Sequence, residues 1–116
     1  IGGGPGGYTA ALYGARSGLD TLILERLSAG GQMALTDQID NYPGFEDGID
    51  GFSLGEKMLR GAERFGAQTK MAEVRAVRLN GAVKEIETAG GTLYGRTAAS
   101  VTALPATACF TGARRW

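Results

Sequence analysis

The sequence predicts an α/β fold in which a parallel sheet with helices is joined to an antiparallel β-meander. Three observations carry this. A glycine-rich opening runs into a helical stripe and then a short apolar run. A second helical stripe covers residues 54–65. After Gly66 the patterning changes to period two.

Residues 2–7 read Gly-Gly-Gly-Pro-Gly-Gly, a loop by composition. Tyr8, Ala11, Leu12 and Ala15 follow at the spacing of one helix face, and Gly18 suits the helix end, where positive φ is often needed. Thr21-Leu22-Ile23-Leu24 is an apolar run of buried-strand type that ends at Glu25. Residues 26–51 have no clear period and are rich in Gly, Asp and Asn, with Tyr42-Pro43-Gly44-Phe45 reading as a turn. A loop of that length in a compact domain is often functional. Ser53-Leu54-Gly55-Glu56 fits a capping box. It opens a helix whose inner face is Leu54, Met58, Ala62 and Phe65, with Glu56 and Arg60 paired on the outside. Residues 68–79, 82–88 and 92–96 read as the three strands of the meander. Asn80-Gly81 is a two-residue hairpin signal between the first two, and Ala89-Gly90-Gly91 separates the last two.

Composition narrows the function classes. The chain has 116 residues, 12 of them Lys or Arg and 12 Asp or Glu, for a net charge of zero. That balance argues against nucleic-acid and anionic-membrane partners. With no His, His-based triads, general bases and metal sites are excluded. Cys109 is the single cysteine, so no internal disulfide and no C-x-x-C pair can form, and it reads as an incidental small residue. No apolar run approaches the ~20 residues of a membrane span. The acidic stretch Asp37, Asp40, Glu46, Asp47 and Asp50 lacks calcium-loop spacing and reads as a solvated face. The default compartment is cytoplasmic.

Gly2-x-Gly4-x-x-Gly7 is a dinucleotide-binding fingerprint. Gly2 permits a tight turn, Gly4 lets backbone approach a pyrophosphate, and Gly7 lets the helix pack closely on its strand. The helix N-terminus adds unpaired N–H groups and positive dipole. Eighteen residues after Gly7, Glu25 closes the next strand, where a carboxylate can accept ribose hydroxyls. A solvated strand-end acid is the other reading of Glu25. The fingerprint should follow a buried strand, yet only Ile1 precedes it, so the chain reads as cut at its start. A second cluster joins Gly30-Gly31-Gln32-Met33 to Asp40-Asn41-Tyr42-Pro43-Gly44-Phe45. Paired glycines let a flat ring approach backbone, and Gln32 and Asn41 offer donors and acceptors to a heterocycle. An ordinary surface loop stays open for these residues.

In combination these segments resemble the FAD domain of low-molecular-weight thioredoxin reductase, a group within the FAD-dependent pyridine nucleotide-disulfide oxidoreductases. The resemblance rests on Gly2-Gly3-Gly4-Pro5-Gly6-Gly7-Tyr8-Thr9-Ala10-Ala11, Leu22-Ile23-Leu24-Glu25, Gly30-Gly31-Gln32-Met33 and Asp40 to Phe45. Gly48-Ile49-Asp50-Gly51 and Ala62 to Ala67 continue it, and it covers residues 1–96. It implies a Rossmann-like FAD-binding domain with the meander inserted after the second helix. It implies that Gly2, Gly3, Gly4, Pro5 and Gly6 line the FAD pyrophosphate. Glu25 would hold the adenosine ribose with Arg26 beside it. Gly31, Gln32, Thr36 and Asn41 would face the ribityl chain and isoalloxazine, and the backbone near Val74 would meet the adenine. Catalytic residues and metal ligands are not implied here. In such enzymes NADPH reduces FAD, FAD reduces a C-x-x-C disulfide, and the dithiol reduces thioredoxin. Family members are commonly homodimers.

The departures shape the expectation. The NADPH fingerprint and C-x-x-C of a later domain are absent from these residues, so the chain reads as a flavin domain truncated at the first strand and after the meander. Residues 97–116 diverge: ten of these twenty are Ala or Thr, and none is acidic. Ala98 to Pro105 keep only a faint likeness to the strand that returns toward the flavin in the family, and a reading-frame shift near residue 97 accounts for the change. The expectation is a chain that binds flavin or is inactive by itself. The alternatives are a ferredoxin–NADP reductase of the thioredoxin-reductase type and a non-catalytic nucleotide-binding or structural fragment.

Overall fold

The computed structural model describes residues 1–101. Expectations for residues 102–116, including Cys109 and most of the divergent tail, lie outside them. The order is α1 (Pro5–Arg16), β1 (Leu22–Glu25), a 3-10 helix (Gly31–Leu35), α2 (Gly51–Glu63), β2 (Gln68–Met71), β3 (Val74–Arg78), β4 (Lys84–Thr88) and β5 (Gly91–Gly95).

Two sheets form, as expected: β1 pairs with β2 in parallel, and β3, β4 and β5 make the antiparallel meander. The parallel layer continues on the far side of β1. The Gly2 N–H donates to Leu24 O at 2.9 Å, which seats the chain start beside β1. Ile1 N donates to Ala99 O at 2.6 Å, and Val101 N to Ile1 O at 3.1 Å. These two bonds have the slant of a parallel ladder. Residues 99–101, residues 1–2, β1 and β2 therefore lie side by side.

The core is the seam between both helices and one face of β1. Tyr8 and Ala11 of α1, Ile23 of β1, Ala62 of α2 and Ala67 beyond it are buried together, with Leu12, Ala15, Met58 and Leu59 packed around them. The α1 stripe is the one the spacing predicts. Pro5 opens α1 at a position where its missing N–H costs nothing, so the helix takes in residues 5–7, which composition assigns to a loop. Gly18 has the positive φ expected beyond the helix end.

Four further expectations are corrected. The single strand 68–79 is two strands in different sheets, divided at Ala72-Glu73, where the Ala72 N–H donates to Glu25 O at 2.8 Å and ends the parallel ladder. Helix α2 is capped by Asp50, whose carboxylate accepts from Ser53 N at 2.8 Å, so the helix starts before the expected Ser53 box. Phe65 lies past the last turn and is 44% exposed, although Leu54 and Ala62 are buried as expected. In the first hairpin, β3 and β4 are joined by residues 79–83. Gly81 has positive φ and Asn80 does not, so the tight Asn-Gly turn does not form. The β4–β5 turn is closed by the Thr88 hydroxyl, which donates to Gly91 O at 2.7 Å and accepts from Gly90 N at 3.2 Å.

Candidate cofactor site at the fingerprint

The site is built where α1 begins, β1 ends and the 3-10 helix starts. Gly2 sits at φ +98°, a left-handed conformation that turns the chain from sheet to helix. Gly3 is buried and held on both sides. Its carbonyl accepts from Gly30 N at 2.8 Å, and its N–H donates to Glu25 Oε2 at 2.5 Å. A Cβ on Gly3 would lie 2.9 Å from Glu25 Oε2 and 3.0 Å from the Tyr8 hydroxyl. Gly4 is the N-cap of α1, and no side chain caps it. No acidic residue stands in the first turn, Pro5 has no N–H, and Gly6 is exposed. The Gly6 and Gly7 N–H groups have no partner within the helix, which among the described residues leaves a positive helix end open to an anion. Gly7 packs so closely that a Cβ there would fall 1.8 Å from Gly2 O.

Glu25 is 7% exposed and therefore not a solvated strand-end acid. Its Oε1 accepts from Arg26 N at 2.8 Å and Leu27 N at 3.0 Å, while Oε2 accepts from Gly3 N. A carboxylate has about four lone-pair directions, so roughly one on Oε2 remains for a ligand hydroxyl.

Gly31, from the second cluster, joins this group. A Cβ on it would lie 3.5 Å from Gly4 N and 3.9 Å from Glu25 Oε2. Thr36 and Asn41 are exposed and line a separate open cleft of about 550 Å³ with Met33, Gln38, Ile39, Asp40 and Tyr42. An antiparallel bridge between Ile39 and Ile49 closes the base of this loop, and the Gly51 N–H ties it to α2 by donating to Thr36 O at 2.9 Å. Gln32 is exposed and is not among the cleft-lining residues. Arg26 is exposed and faces Glu73 at 3.7 Å, and Val74 begins β3 immediately afterwards. The structure thus gathers Gly2, Gly3, Gly4, Glu25 and Gly31 tightly, with Pro5 and Gly6 on the helix end. Arg26 and Val74 lie at the strand ends, and Thr36 and Asn41 lie in the neighbouring cleft.

Sequence reasoning missed two contributors. Gly55 lies inside α2, where a Cβ would approach Ala29 O to 2.5 Å, so its lack of a side chain lets α2 press the Gly30-Gly31 turn toward Gly3. A glycine in a helix interior is a sequence signal for such an approach. Glu73, the partner of Arg26, left no local signal.

Comparison with known proteins agrees with this fold. A sequence profile described as pyridine nucleotide-disulphide oxidoreductase matches residues 1–111. A bifunctional thioredoxin reductase/thioredoxin of Mycobacterium leprae is 47% identical over 94 residues, covering 81% of this chain and 20% of that protein. A thioredoxin reductase of Streptomyces coelicolor is 46% identical over 103 residues, covering 88% of this chain and 32% of that protein. Among solved structures, a thioredoxin reductase from Gloeobacter violaceus superposes with a TM-score of 0.78 at 43% identity, over 82% of this chain and 30% of that one. The chain spans less than a third of the length of each of these relatives.

Proposed function

Since the chain belongs to the pyridine nucleotide-disulphide oxidoreductase family, we propose that it is the FAD-binding portion of a thioredoxin reductase. The observation that carries this reading is the convergence of Gly3, Glu25 and Gly31 at the uncapped start of α1. The cradle suits a dinucleotide. Positive helix-end N–H groups and side-chain-free glycines face where a pyrophosphate would lie, and a buried carboxylate with a lone pair to spare lies beside them. Gly2, Gly3, Gly4, Pro5 and Gly6 would line the pyrophosphate, and Glu25 would accept a ribose hydroxyl. The adenine would lie against Arg26 and the Val74 backbone. Gly31, Gln32, Thr36 and Asn41 would face the ribityl chain and the flavin ring. Bound flavin supplies two-electron redox chemistry. This chain's own residues bind, orient and shield it.

The parent would draw electrons from NADPH and deliver them through a disulfide to thioredoxin, as a cytoplasmic homodimer. Among the described residues no helix is long and apolar enough to cross a membrane. The 116 residues contain one cysteine and no second glycine fingerprint, so disulfide reduction lies beyond them. Residues 1–96 are the partial flavin domain in this reading, residues 99–101 still pair beside Ile1 in its parallel layer, and a reading-frame shift near residue 97 would account for the divergent sequence of the tail. An NADPH-dependent disulfide-reduction assay with added FAD and thioredoxin tests it, with no turnover expected. Clear turnover by the purified chain contradicts the assignment of roles.

A further inference from the structure

We infer that Glu73 is a positioning residue for the adenosine end of the cofactor: it holds Arg26 across the bend between the two sheets. The inference rests on the flavin-binding reading above and deepens it. Two polar contacts cross this bend. The Ala72 N–H donates to Glu25 O at 2.8 Å, and Arg26 Nη1 lies 3.7 Å from Glu73 Oε1. Glu73 is fixed from the meander side as well, because its carbonyl accepts from Ala89 N at 3.3 Å. The ladder of β3 with β4 is irregular just beyond it, between Val74 and Ala76. One short segment therefore joins the strand end that carries Glu25 to the meander that carries Val74, and the Arg26–Glu73 pair spans it.

Without a ligand this pair is weak. The two side chains are 64% and 53% exposed, and exposed ion pairs contribute little. A planar base laid between Arg26 and the Val74 backbone would exclude water from it. Charges interact more strongly as the surrounding dielectric falls. The pair then does its work in the bound state. Glu73 fixes the Arg26 guanidinium over the base, and the base in turn strengthens the pair.

The test is a double-mutant cycle on the 116-residue chain, using Glu73→Gln, Arg26→Gln and the double variant. ADP is the probe for the adenosine end, and FAD the probe for the whole cofactor. ADP affinity should fall about two- to fivefold in Glu73→Gln. The double variant should bind no worse than Arg26→Gln alone. The unliganded Tm should shift no more than in Arg60→Gln, which breaks a comparable exposed pair with Glu56 on α2. Wild-type ADP affinity in Glu73→Gln, additive losses in the cycle, or a loss that tracks a lowered Tm would overturn the positioning role alone. Failure of the wild-type chain to bind FAD and ADP would overturn the flavin-binding reading and this inference with it.

Discussion

The Gly3 N–H donates to Glu25 Oε2 at 2.5 Å across a separation of 22 residues, joining the fingerprint to the end of β1. Because Glu25 Oε1 also takes the Arg26 and Leu27 N–H groups, one buried carboxylate satisfies three backbone donors. Glu25→Gln replaces an acceptor with an NH2 group, which must face at least one of those donors. The variant should lose about 1–3 kcal/mol of stability, as a buried donor left unpaired does. Urea denaturation measures it, and a wild-type midpoint would show that the carboxylate is not the organiser described.

Glycine positions should separate sharply. Gly7→Ala puts a Cβ 1.8 Å from Gly2 O, so α1 must lift from the chain start. The expected loss is about 1–3 kcal/mol or more. At Gly61, inside α2, a Cβ meets nothing within 4 Å among the described residues. Gly61→Ala should therefore gain about 0.5–1 kcal/mol from helix propensity. Thermal melts of the two variants should move in opposite directions.

Tyr8 is 2% exposed, and among the described residues neither its hydroxyl nor the buried Thr69 hydroxyl has a hydrogen-bond partner of ordinary geometry. Its ring fills the core while its oxygen gains little, so Tyr8→Phe should be neutral or stabilising. Tyr8→Ala should cost about 3–5 kcal/mol. Burial, and next the Glu25 carboxylate, push the phenol pKa up from its usual value. A raised folded value means the associated stability is complete below the unfolded value of about 10 and is lost as pH rises through the folded one. Stability measured from neutral to strongly alkaline pH should decline there in the wild type, and decline less in Tyr8→Phe.

Much of this was legible beforehand because it rests on short-range signals. The α1 stripe, the apolar run into Glu25 and the Gly18 terminus depend on residues within a turn or two of one another. The division of 68–79 was not legible. Its period-two pattern is continuous, and the point where β2 leaves the parallel sheet follows from where β1 ends at Glu25, far away in sequence, with the Ala72 N–H to Glu25 O bond as the last rung. The Ser53-x-x-Glu56 pattern was a true local signal that lost to Asp50, which offers a charged acceptor three residues before Ser53. At the site, the roles expected of Gly3 and Glu25 point to one place. The contact of Gly31 with Gly4 depends on how Gly55 lets α2 pack, and although a helix-interior glycine signals a close approach, no local pattern names the Ala29-Gly30 backbone as its partner.

The α2 cap should be sensitive to acid. Hydrogen bonds that Ser53 donates to it, first from the hydroxyl and then from the N–H, hold the Asp50 carboxyl below the ordinary carboxylate range. A depressed folded value means its stabilisation is present above the unfolded value of about 3.9 and disappears as pH falls through the folded one. Asp50→Ala should lower the Tm near neutral pH, with the difference from wild type closing under acid conditions. A difference that persists unchanged at low pH would contradict this.

The central claim is that the fingerprint, Glu25 and the Gly30-Gly31 turn form a dinucleotide cradle. Its most direct test is titration of the purified chain with FAD, followed by flavin fluorescence and circular dichroism together. Saturable binding that Glu25→Ala weakens, while Arg60→Gln leaves it intact, is the predicted result. No saturable change in flavin fluorescence, or binding indifferent to Glu25, would contradict it.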